Sequence, residues 1–336
     1  MSWGRNAELQ LGDGRSTILR NPTRPPGPRA TPEPVQRSCG PEACEPLSEL
    51  KSIAAGGYHN LAVKSDGTVW AWGSHDCGQL GNGKLPTSGF TLTAPSSVPT
   101  QVLALNGGVA VAAGRAHSLA LDNRGMLWGW GDNSWGQVGN GARPIGESGR
   151  CVIAPTKVAL PTRVVAFAAG SDHSLALTED GTVWSWGVNC SGQLGSLLDK
   201  ESHRYAPAPV IGGWGDQDPV VSLAAGGEYG IGHSLALTQN GQVWAWGLAG
   251  VLGSAGGGDV PSPCKDNPAF MPREGFLSPR SPDLEQRARP TPRQVSGLSG
   301  AVFIEAGAFH SVVINEEGEL FTWGRNDQGQ LGQPPG

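Results

Sequence analysis

The sequence predicts an all-β protein, a β-propeller built from four-stranded blades. A stretch that begins at residues 54–81 recurs four more times in the 336-residue chain. The Trp-Gly dipeptides that end its hairpins, together with the one at residues 3–4, are 69, 58, 56, 60 and 77 residues apart. Each copy also places apolar residues at every second position around a glycine turn, which is the pattern of a β-hairpin. Self-similarity at such a period is typical of repeat architectures.

The hairpin of each copy is defined by its spacing. Leu61 and Val63 lie two residues apart, as do Trp70 and Trp72, so each pair faces one side of its strand. The Asp66-Gly67 dipeptide between them predicts a two-residue turn with positive φ. Only the glycine is shared by all five turns, which indicates a demand of the backbone. The residues between the two aromatic positions are small, which favours closely packed sheets. These small residues are Ala71, Gly129, Ser185, Ala245 and Thr322.

The rest of each unit is a Gly-Gln-Leu-Gly turn, a Pro-x-x-Val strand and a further short strand, which makes four strands per unit. We expect five complete units and a partial unit shared between the termini. One repeat domain, 1–336, is expected, and its long insertions lie at about 21–49, 84–98, 196–218 and 254–291. Because both ends carry the same half-unit, the chain either has an unusual blade number or is a section of a longer array. The start at Met1, so close to Trp3, favours the second.

Composition excludes several classes of function. Charged residues make up 16% of the chain and the net charge is −5, so we expect no binding to nucleic acid. No run of 18 apolar residues is present, so we expect no insertion into a membrane. The N-terminus has no visible secretion signal. The expected location is therefore cytoplasmic, or extracellular if the chain belongs to a longer precursor.

The six cysteines lie at 39, 44, 77, 151, 190 and 264, all outside the repeated hairpins. They form no C-x-x-C pair, and no histidine lies at metal-binding spacing. Reduced thiols or an occasional loop disulfide are the interpretations that remain, and Cys39 could bridge to Cys44. We expect no metal and no cofactor.

The repeated histidines and tryptophans are predicted to be structural. Each histidine occupies one slot of the hairpin, where a bond to a backbone group of its own blade explains it. The second tryptophans are expected in the blade core. These positions are His59, His117, His173, His233, His310, Trp72, Trp130, Trp186, Trp246 and Trp323. No nucleophile elbow, phosphate loop, dinucleotide fingerprint or zinc-protease motif is present, so no catalytic residue and no enzyme is predicted.

Residues that break the repeat are the candidates for binding. One copy is four residues longer than the others because residues 228–231 precede its histidine. Aromatic and basic residues in the segments whose length varies between copies fit either local packing or anchors at a protein interface. The candidates are Trp135, Tyr205, Trp214, Arg273, Phe276 and Arg280. Because the insertions fall at similar places in their units, they are expected on one face.

The three motifs together, Ala-Ala-Gly-x-x-His-Ser-Leu-Ala-Leu, Asp-Gly-x-Val-x-x-Trp-Gly and Gly-Gln-Leu-Gly, resemble the regulator-of-chromosome-condensation repeat. The resemblance covers every ordered-looking part of the chain and is nearest to the bacterial members. It implies a β-propeller, which has seven blades in this family, whereas the chain has five complete units.

The sequence favours a non-enzymatic protein-binding propeller. A second hypothesis, which the resemblance implies, is guanine-nucleotide exchange on a small GTPase. A third is inhibition of a secreted enzyme, similar to the propeller-type β-lactamase inhibitory proteins. The plant ultraviolet photoreceptors are disfavoured because their Gly-Trp-Arg-His-Thr motif is absent.

Overall fold

Alternating apolar residues and glycine turns produce strands throughout the computed structural model. It describes residues 2–4, 10–12, 29–39, 44–84, 95–146, 148–196, 202–253, 260–261, 264 and 287–334. These residues contain two 3₁₀ turns, Ser148–Arg150 and Ala249–Val251, and no α-helix. No helix in the described part of the chain is long and apolar enough to cross a membrane.

The strands are β1 (Ser2–Gly4), β2 (Arg29–Glu33), β3 (Gln36–Cys39), β4 (Cys44–Pro46), β5 (Leu50–Ala55), β6 (His59–Lys64), β7 (Val69–Gly73), β8 (Ser96–Gln101), β9 (Gly108–Ala113), β10 (His117–Asp122), β11 (Leu127–Asp132), β12 (Cys151–Lys157), β13 (Val164–Ala169), β14 (His173–Thr178), β15 (Val183–Val188), β16 (His203–Pro209), β17 (Val220–Glu228), β18 (Ile231–Thr238), β19 (Val243–Leu248), β20 (Val260–Pro261), β21 (Arg287–Gln294), β22 (Ala301–Ala306), β23 (His310–Asn315) and β24 (Leu320–Gly324).

The strands form five repeated antiparallel sheets, which we number I to V. Sheets I, II and III each have four strands in chain order, β5–β8, β9–β12 and β13–β16. Sheet IV has the order β17-β18-β19-β21-β20, and sheet V contains β22–β24. Two two-stranded sheets, β1-β2 and β3-β4, complete the described strands. The predicted all-β class and four-stranded sheets are confirmed.

The described chain separates into two compact units. The first comprises Met1–Ser134 and Arg143–Val158 and contains sheets I and II. The second comprises Trp135–Ala142 and Ala159–Gly336 and contains sheets III to V. The single repeat domain stays a prediction, and parts of its four insertions lie outside the described residues.

The turn inside each hairpin differs from the prediction. Gly67 N donates to Lys64 O at 2.9 Å, and Lys64 N donates to Thr68 O at 2.9 Å. The loop therefore has three residues, and only its glycine has positive φ, 83° in Gly67. This is a type I turn followed by a left-handed residue rather than a two-residue turn. The shared glycine is still required, with φ between 74° and 83° at Gly67, Gly125, Gly181, Gly241 and Gly318.

The two faces of each sheet carry residues of different size. In sheet I, Leu61, Val63 and Ala71 are fully buried on one face. Trp130 of sheet II packs against that face within the first unit. In the second unit, Trp246 packs in the same way on sheet III. Truncating a buried tryptophan to alanine costs about 3–5 kcal/mol, so these indoles are major contributors to stability.

The last glycine of the Gly-Gln-Leu-Gly turn lies directly against the next indole. Gly195 has a φ of 64°, and a Cβ there would lie 2.9 Å from Trp246 Nε1 and 2.6 Å from Val210 Cγ1. A side chain is therefore excluded by both the backbone and the available space. The same contact recurs in the pairs Gly12–Trp72, Gly81–Trp130, Gly139–Trp186 and Gly253–Trp323.

Two glycines allow the cost of backbone strain to be measured separately from the cost of the missing space. Gly181 also has positive φ, 83°, but a Cβ there would meet nothing within 4 Å. Gly181→Ala should cost about 1 kcal/mol through backbone strain alone. Gly195→Ala should cost about 3 kcal/mol because it also displaces the indole of Trp246. Urea unfolding of the two variants measures the difference, and equal losses would contradict the packing role of Gly195.

Candidate protein-binding surface

The repeated polar residues form one hydrogen-bonded group between neighbouring sheets. In the first unit, the Gln79 carbonyl accepts from Trp130 Nε1 at 2.9 Å and from Ser118 Oγ at 2.9 Å. The Ser118 hydroxyl proton is thereby used, so it accepts from His59 Nε2–H at 2.9 Å. His59 and Gln79 belong to one blade and Ser118 and Trp130 to the next. We call this arrangement the carbonyl node.

The second unit repeats the carbonyl node. The Gln193 carbonyl accepts from Trp246 Nε1 and Ser234 Oγ, both at 2.9 Å, and His173 Nε2 lies 3.0 Å from Ser234 Oγ. His233 bonds to Ser311 Oγ at 3.1 Å. The expected bond from each histidine to its own blade is therefore wrong in this detail. The partner is the serine of the next sheet, because a serine directly follows the histidine in every such sheet.

Burial keeps the imidazoles of His59 and His233 neutral. It lowers the pKa of His59 to about 4. Burial, with smaller repulsion from His173 and His310, lowers the pKa of His233 to about 3. In His59 and His233, Nδ1 is buried and has no hydrogen-bond partner among the described residues. A second ring proton would therefore find no acceptor, and these side chains hold the fold together.

One carbonyl node is incomplete. Val251 stands where the other turns have glutamine, within the 3₁₀ turn Ala249–Val251. Val251 also has a main-chain carbonyl, but Trp323 Nε1 does not bond to it and has no hydrogen-bond partner in the described part of the chain. Trp323 still packs on Leu252 of sheet IV's turn. The packing survives without the polar bond.

Two of the predicted binding residues are brought together. Trp135 lies edge-on to His203, with ring centroids 5.4 Å apart, and His203 is edge-on to Tyr205 at 5.0 Å. Trp135 also packs against Val188, Cys190 and the nearby disulfide. All three rings are half-buried. The row is thus part of the internal packing of the second unit and also reaches its surface.

The remaining predicted residues lie elsewhere. Trp214 is half-buried and contacts Trp244 and Trp246, with ring centroids 5.9 and 6.1 Å away. It therefore covers the core of sheet IV. Arg273, Phe276 and Arg280 lie outside the described residues.

A hairpin tip, residues 228–231, is the clearest departure from the repeat. It joins β17 and β18 through a two-residue turn in which Tyr229 and Gly230 have φ of 47° and 81°. Asp172 Oδ2 accepts from Gly230 N at 2.8 Å, and Gln193 Nε2 donates to Gly230 O at 3.0 Å. Tyr229 remains 38% exposed. Sequence reasoning identified this insertion but did not single out Tyr229.

The structure also decides between the two interpretations of four cysteines. Cys77 is bonded to Cys151 in the first unit, and Cys190 to Cys264 in the second. Reduced thiols are therefore wrong for these four positions. Cys39 and Cys44 oppose each other in the register of β3 and β4. In the described part of the chain, no group of three or more histidine, cysteine or acidic residues could hold a metal ion.

Comparisons with known proteins give a consistent result. The family model described as RCC1-like domain matches residues 1–336. The chain is 33% identical to human E3 ubiquitin-protein ligase HERC2 over 291 residues, which is 84% of this chain and 5% of that protein. It is 31% identical to the Ultraviolet-B receptor UVR8 of Arabidopsis thaliana, over 87% of this chain and 68% of the receptor. Guanine nucleotide exchange factor SRM1 of Saccharomyces cerevisiae is 28% identical, over 91% of this chain and 59% of SRM1.

Solved structures share the fold. Human WBSCR16 superimposes with a TM-score of 0.62 at 26% identity, over 86% of this chain and 69% of that one. Prp20p from Saccharomyces cerevisiae, which was studied for its binding to Gsp1p and histones, superimposes with a TM-score of 0.59 at 23% identity. The match covers 99% of this chain and 82% of that one.

Ser234 tests the carbonyl node. Ser234→Ala removes the buried hydroxyl that bonds to His173 Nε2 and to the Gln193 carbonyl, and should lower the free energy of unfolding by about 1–3 kcal/mol. Ser222→Ala on half-buried β17 is the matched control and should stay within about 0.5 kcal/mol of the parent. Chemical denaturation measures both. Similar losses from the two changes would contradict the assigned role.

The buried histidines predict a loss of stability in mild acid. Their unfolded-state pKa is about 6.5, so their contribution is complete above that pH and is lost as the pH falls towards 4. At pH 5, His59 and His233 should together have lowered the free energy of unfolding by about 4 kcal/mol relative to pH 8. His233→Gln keeps a donor at this position but does not titrate, so it should halve the slope. A parent chain of equal stability at both pH values would contradict the prediction.

Proposed function

The chain belongs to the RCC1-like domain family, as its repeats predicted, and from this premise we propose that it is a non-catalytic module that binds a protein partner. The observation that carries the proposal is the hairpin tip at residues 228–231. It is an insertion into a repeat whose other copies lack it. An insertion of this kind is where repeat proteins place their binding residues.

The repeated residues leave little else for function. The histidines, serines and glutamine carbonyls bond to one another, and the second tryptophans other than Trp323 are in the core. These polar groups are therefore engaged in structural hydrogen bonds in successive sheets. Function therefore falls to residues that differ between copies. Tyr229 is an exposed aromatic residue of this kind, and tyrosine is enriched at the energetic centres of protein interfaces.

The hairpin tip is pre-organised for contact. A tyrosine in the left-handed region costs about 1–2 kcal/mol, which the surrounding structure must offset. The side chains of Asp172 and Gln193 hold Gly230 from two sides. Ser171 Oγ donates to Asp172 Oδ2 at 2.6 Å and orients that carboxylate. Because the tip is fixed before binding, it loses little further conformational entropy when a partner docks.

Other predicted anchors extend this proposal. Trp135 and Tyr205 form a half-buried aromatic row with His203, which offers a second contact area in the same unit. Trp214 contributes less, because Trp244 and Trp246 already cover it. Arg273, Phe276 and Arg280 stay proposed binding residues on sequence grounds.

Guanine-nucleotide exchange on a small GTPase is the second candidate. The similarity to SRM1, a guanine nucleotide exchange factor, and the fold shared with Prp20p favour it. The chain spans 59% of SRM1, so the activity of the whole relative does not transfer by similarity alone. Accelerated nucleotide release from a panel of small GTPases would support this candidate. A bound partner with no effect on nucleotide release would support the first.

Photo-crosslinking tests the proposed surface. A benzophenone-bearing phenylalanine in place of Tyr229 should capture one partner of defined mass from the lysate and secreted fraction of the source organism. The same probe at Ile211, which is 61% exposed in the same unit, is the control and should not. Tyr229→Ala should weaken binding of that partner about 30-fold, as loss of an aromatic anchor does.

A second pair of variants isolates pre-organisation. Asp172→Ala and Gln193→Ala leave Tyr229 in place but release Gly230. They should reduce crosslinking while the chain still unfolds cooperatively. Equal capture from positions 229 and 211, or unchanged affinity in Tyr229→Ala, would refute the hairpin tip as the binding element.

A further inference from the structure

We infer that this protein acquires its fold in an oxidising compartment, where two disulfides link neighbouring blades. The inference does not depend on the proposed function. It rests on where four cysteines of different repeats meet, how deeply they are buried and what replaces them at the equivalent position of another copy.

The first disulfide joins the turn after sheet I to the fourth strand of sheet II. Cys77 follows β7, and Cys151 begins β12. Backbone contacts hold the two segments together independently of sulfur, since Gly83 N donates to Ile153 O at 3.0 Å. The Cα atoms of the two cysteines are 4.8 Å apart, within the span that a disulfide bridges. Both cysteines are half-buried.

The second disulfide repeats this connection in the other unit. Cys190 lies in the turn after sheet III, and Cys264 lies between β20 and β21 of sheet IV. Their Cα atoms are 5.1 Å apart. The two side chains are only 2% and 5% exposed, beneath Val188 and Trp135. Both disulfides close segments with a sequence separation of 74 residues.

A third copy has a ring contact where the first disulfide lies, whereas in the copy with the second disulfide the equivalent position is Ser191 and Cys190 precedes it by one residue. Trp135 occupies the repeat position of Cys77, one residue before Gly-Gln. His203 opposes Val188 in the sheet register as Cys151 opposes Asp132. The Trp135–His203 ring contact therefore takes the place of the Cys77–Cys151 bond. We conclude that the turns containing Cys77, Trp135 and Cys190 are each linked to a sheet, the first two to its fourth strand and the third to the segment between β20 and β21, by sulfur in two copies and by aromatic rings in one.

The chemistry of disulfide formation indicates the kind of compartment in which the protein folds. Each bond forms when a cysteine thiolate attacks the sulfur of a disulfide-bearing oxidant, such as oxidised glutathione or a dithiol oxidoreductase. The second cysteine thiolate then displaces that oxidant's sulfur. The chain loses two electrons and two protons per bond, and the oxidant leaves as two thiols. A cytosolic glutathione pool keeps such thiols reduced, whereas secretory and periplasmic spaces keep them oxidised. A partner would then belong to the same space.

Trapping thiols in intact source cells tests the inference. Iodoacetamide added before lysis should leave Cys77, Cys151, Cys190 and Cys264 unlabelled, and peptide mapping should recover both cross-linked pairs. Labelling of all four would overturn the inference. This readout does not involve a binding partner, so it cannot fail merely because the proposed function is wrong.

Stepwise reduction of the purified protein tests the geometry. Dithiothreitol at low concentration should open the half-buried Cys77–Cys151 bond first and leave Cys190–Cys264 closed until the chain unfolds. Loss of both bonds should lower the midpoint of thermal unfolding by about 10 °C. The double variants Cys77→Ser/Cys151→Ser and Cys190→Ser/Cys264→Ser each remove one disulfide, so they measure how much each bond contributes to the change in midpoint. A reduced, alkylated chain with an unchanged midpoint would overturn the inference.

Discussion

The carbonyl node is the interaction on which the rest of this structure depends. In the nodes at Gln79 and Gln193, one turn carbonyl receives a tryptophan N–H and a serine O–H from the following blade. The following glycine has no side chain, so the indole can approach. Each such bond contributes only about 1 kcal/mol net, but an unpaired indole N–H in this dry interface would cost more. The motif Gly-Gln-Leu-Gly is therefore a docking site for the next sheet.

This constraint explains where function can reside. A repeat whose polar atoms are used between sheets has few left for catalysis, and His59 and His233, whose pKa values are lowered by burial, are held by serines. The hairpin tip at 228–231 uses the same scaffold differently, because Gln193 contributes its carbonyl to the node and its amide to the tip. One residue thus connects the repeated architecture of the blade, through its main-chain carbonyl, to an element found in a single copy, through its side-chain amide.

Much of the fold could be predicted from the sequence, because it depends on local periodicity. The alternation around Leu61 and the shared glycine at 67 define the hairpin without reference to distant residues. The three-residue turn could not be distinguished from a two-residue one, since both require the same glycine. The serine partner of His59 was missed because it lies 59 residues away. The cysteine pairs were missed for the same reason, with 74 residues between their members.

The candidate site was harder to predict than the fold. The four inserted residues were visible in the sequence, but the strained Tyr229 and its anchors emerge only when Asp172 from the preceding blade is placed beside Gly230. Trp135 and Trp214 illustrate the converse, since repeat-breaking aromatic residues can also be packing elements. The meaning of such a residue depends on its neighbours in space, which a repeat alignment does not contain.

Hydrogen exchange of the indole N–H groups, followed by NMR, tests the carbonyl node most directly. Trp246 donates to the main-chain carbonyl of Gln193, whereas Trp323 Nε1 makes no such bond to the turn that contains Val251 and has no described acceptor. The account predicts that Trp130, Trp186 and Trp246 exchange slowly and at rates set by opening of the sheets, and that Trp323 exchanges much faster. Equal protection of Trp323 and Trp246 would contradict the claim that the glutamine turn carbonyl fastens each blade to the next.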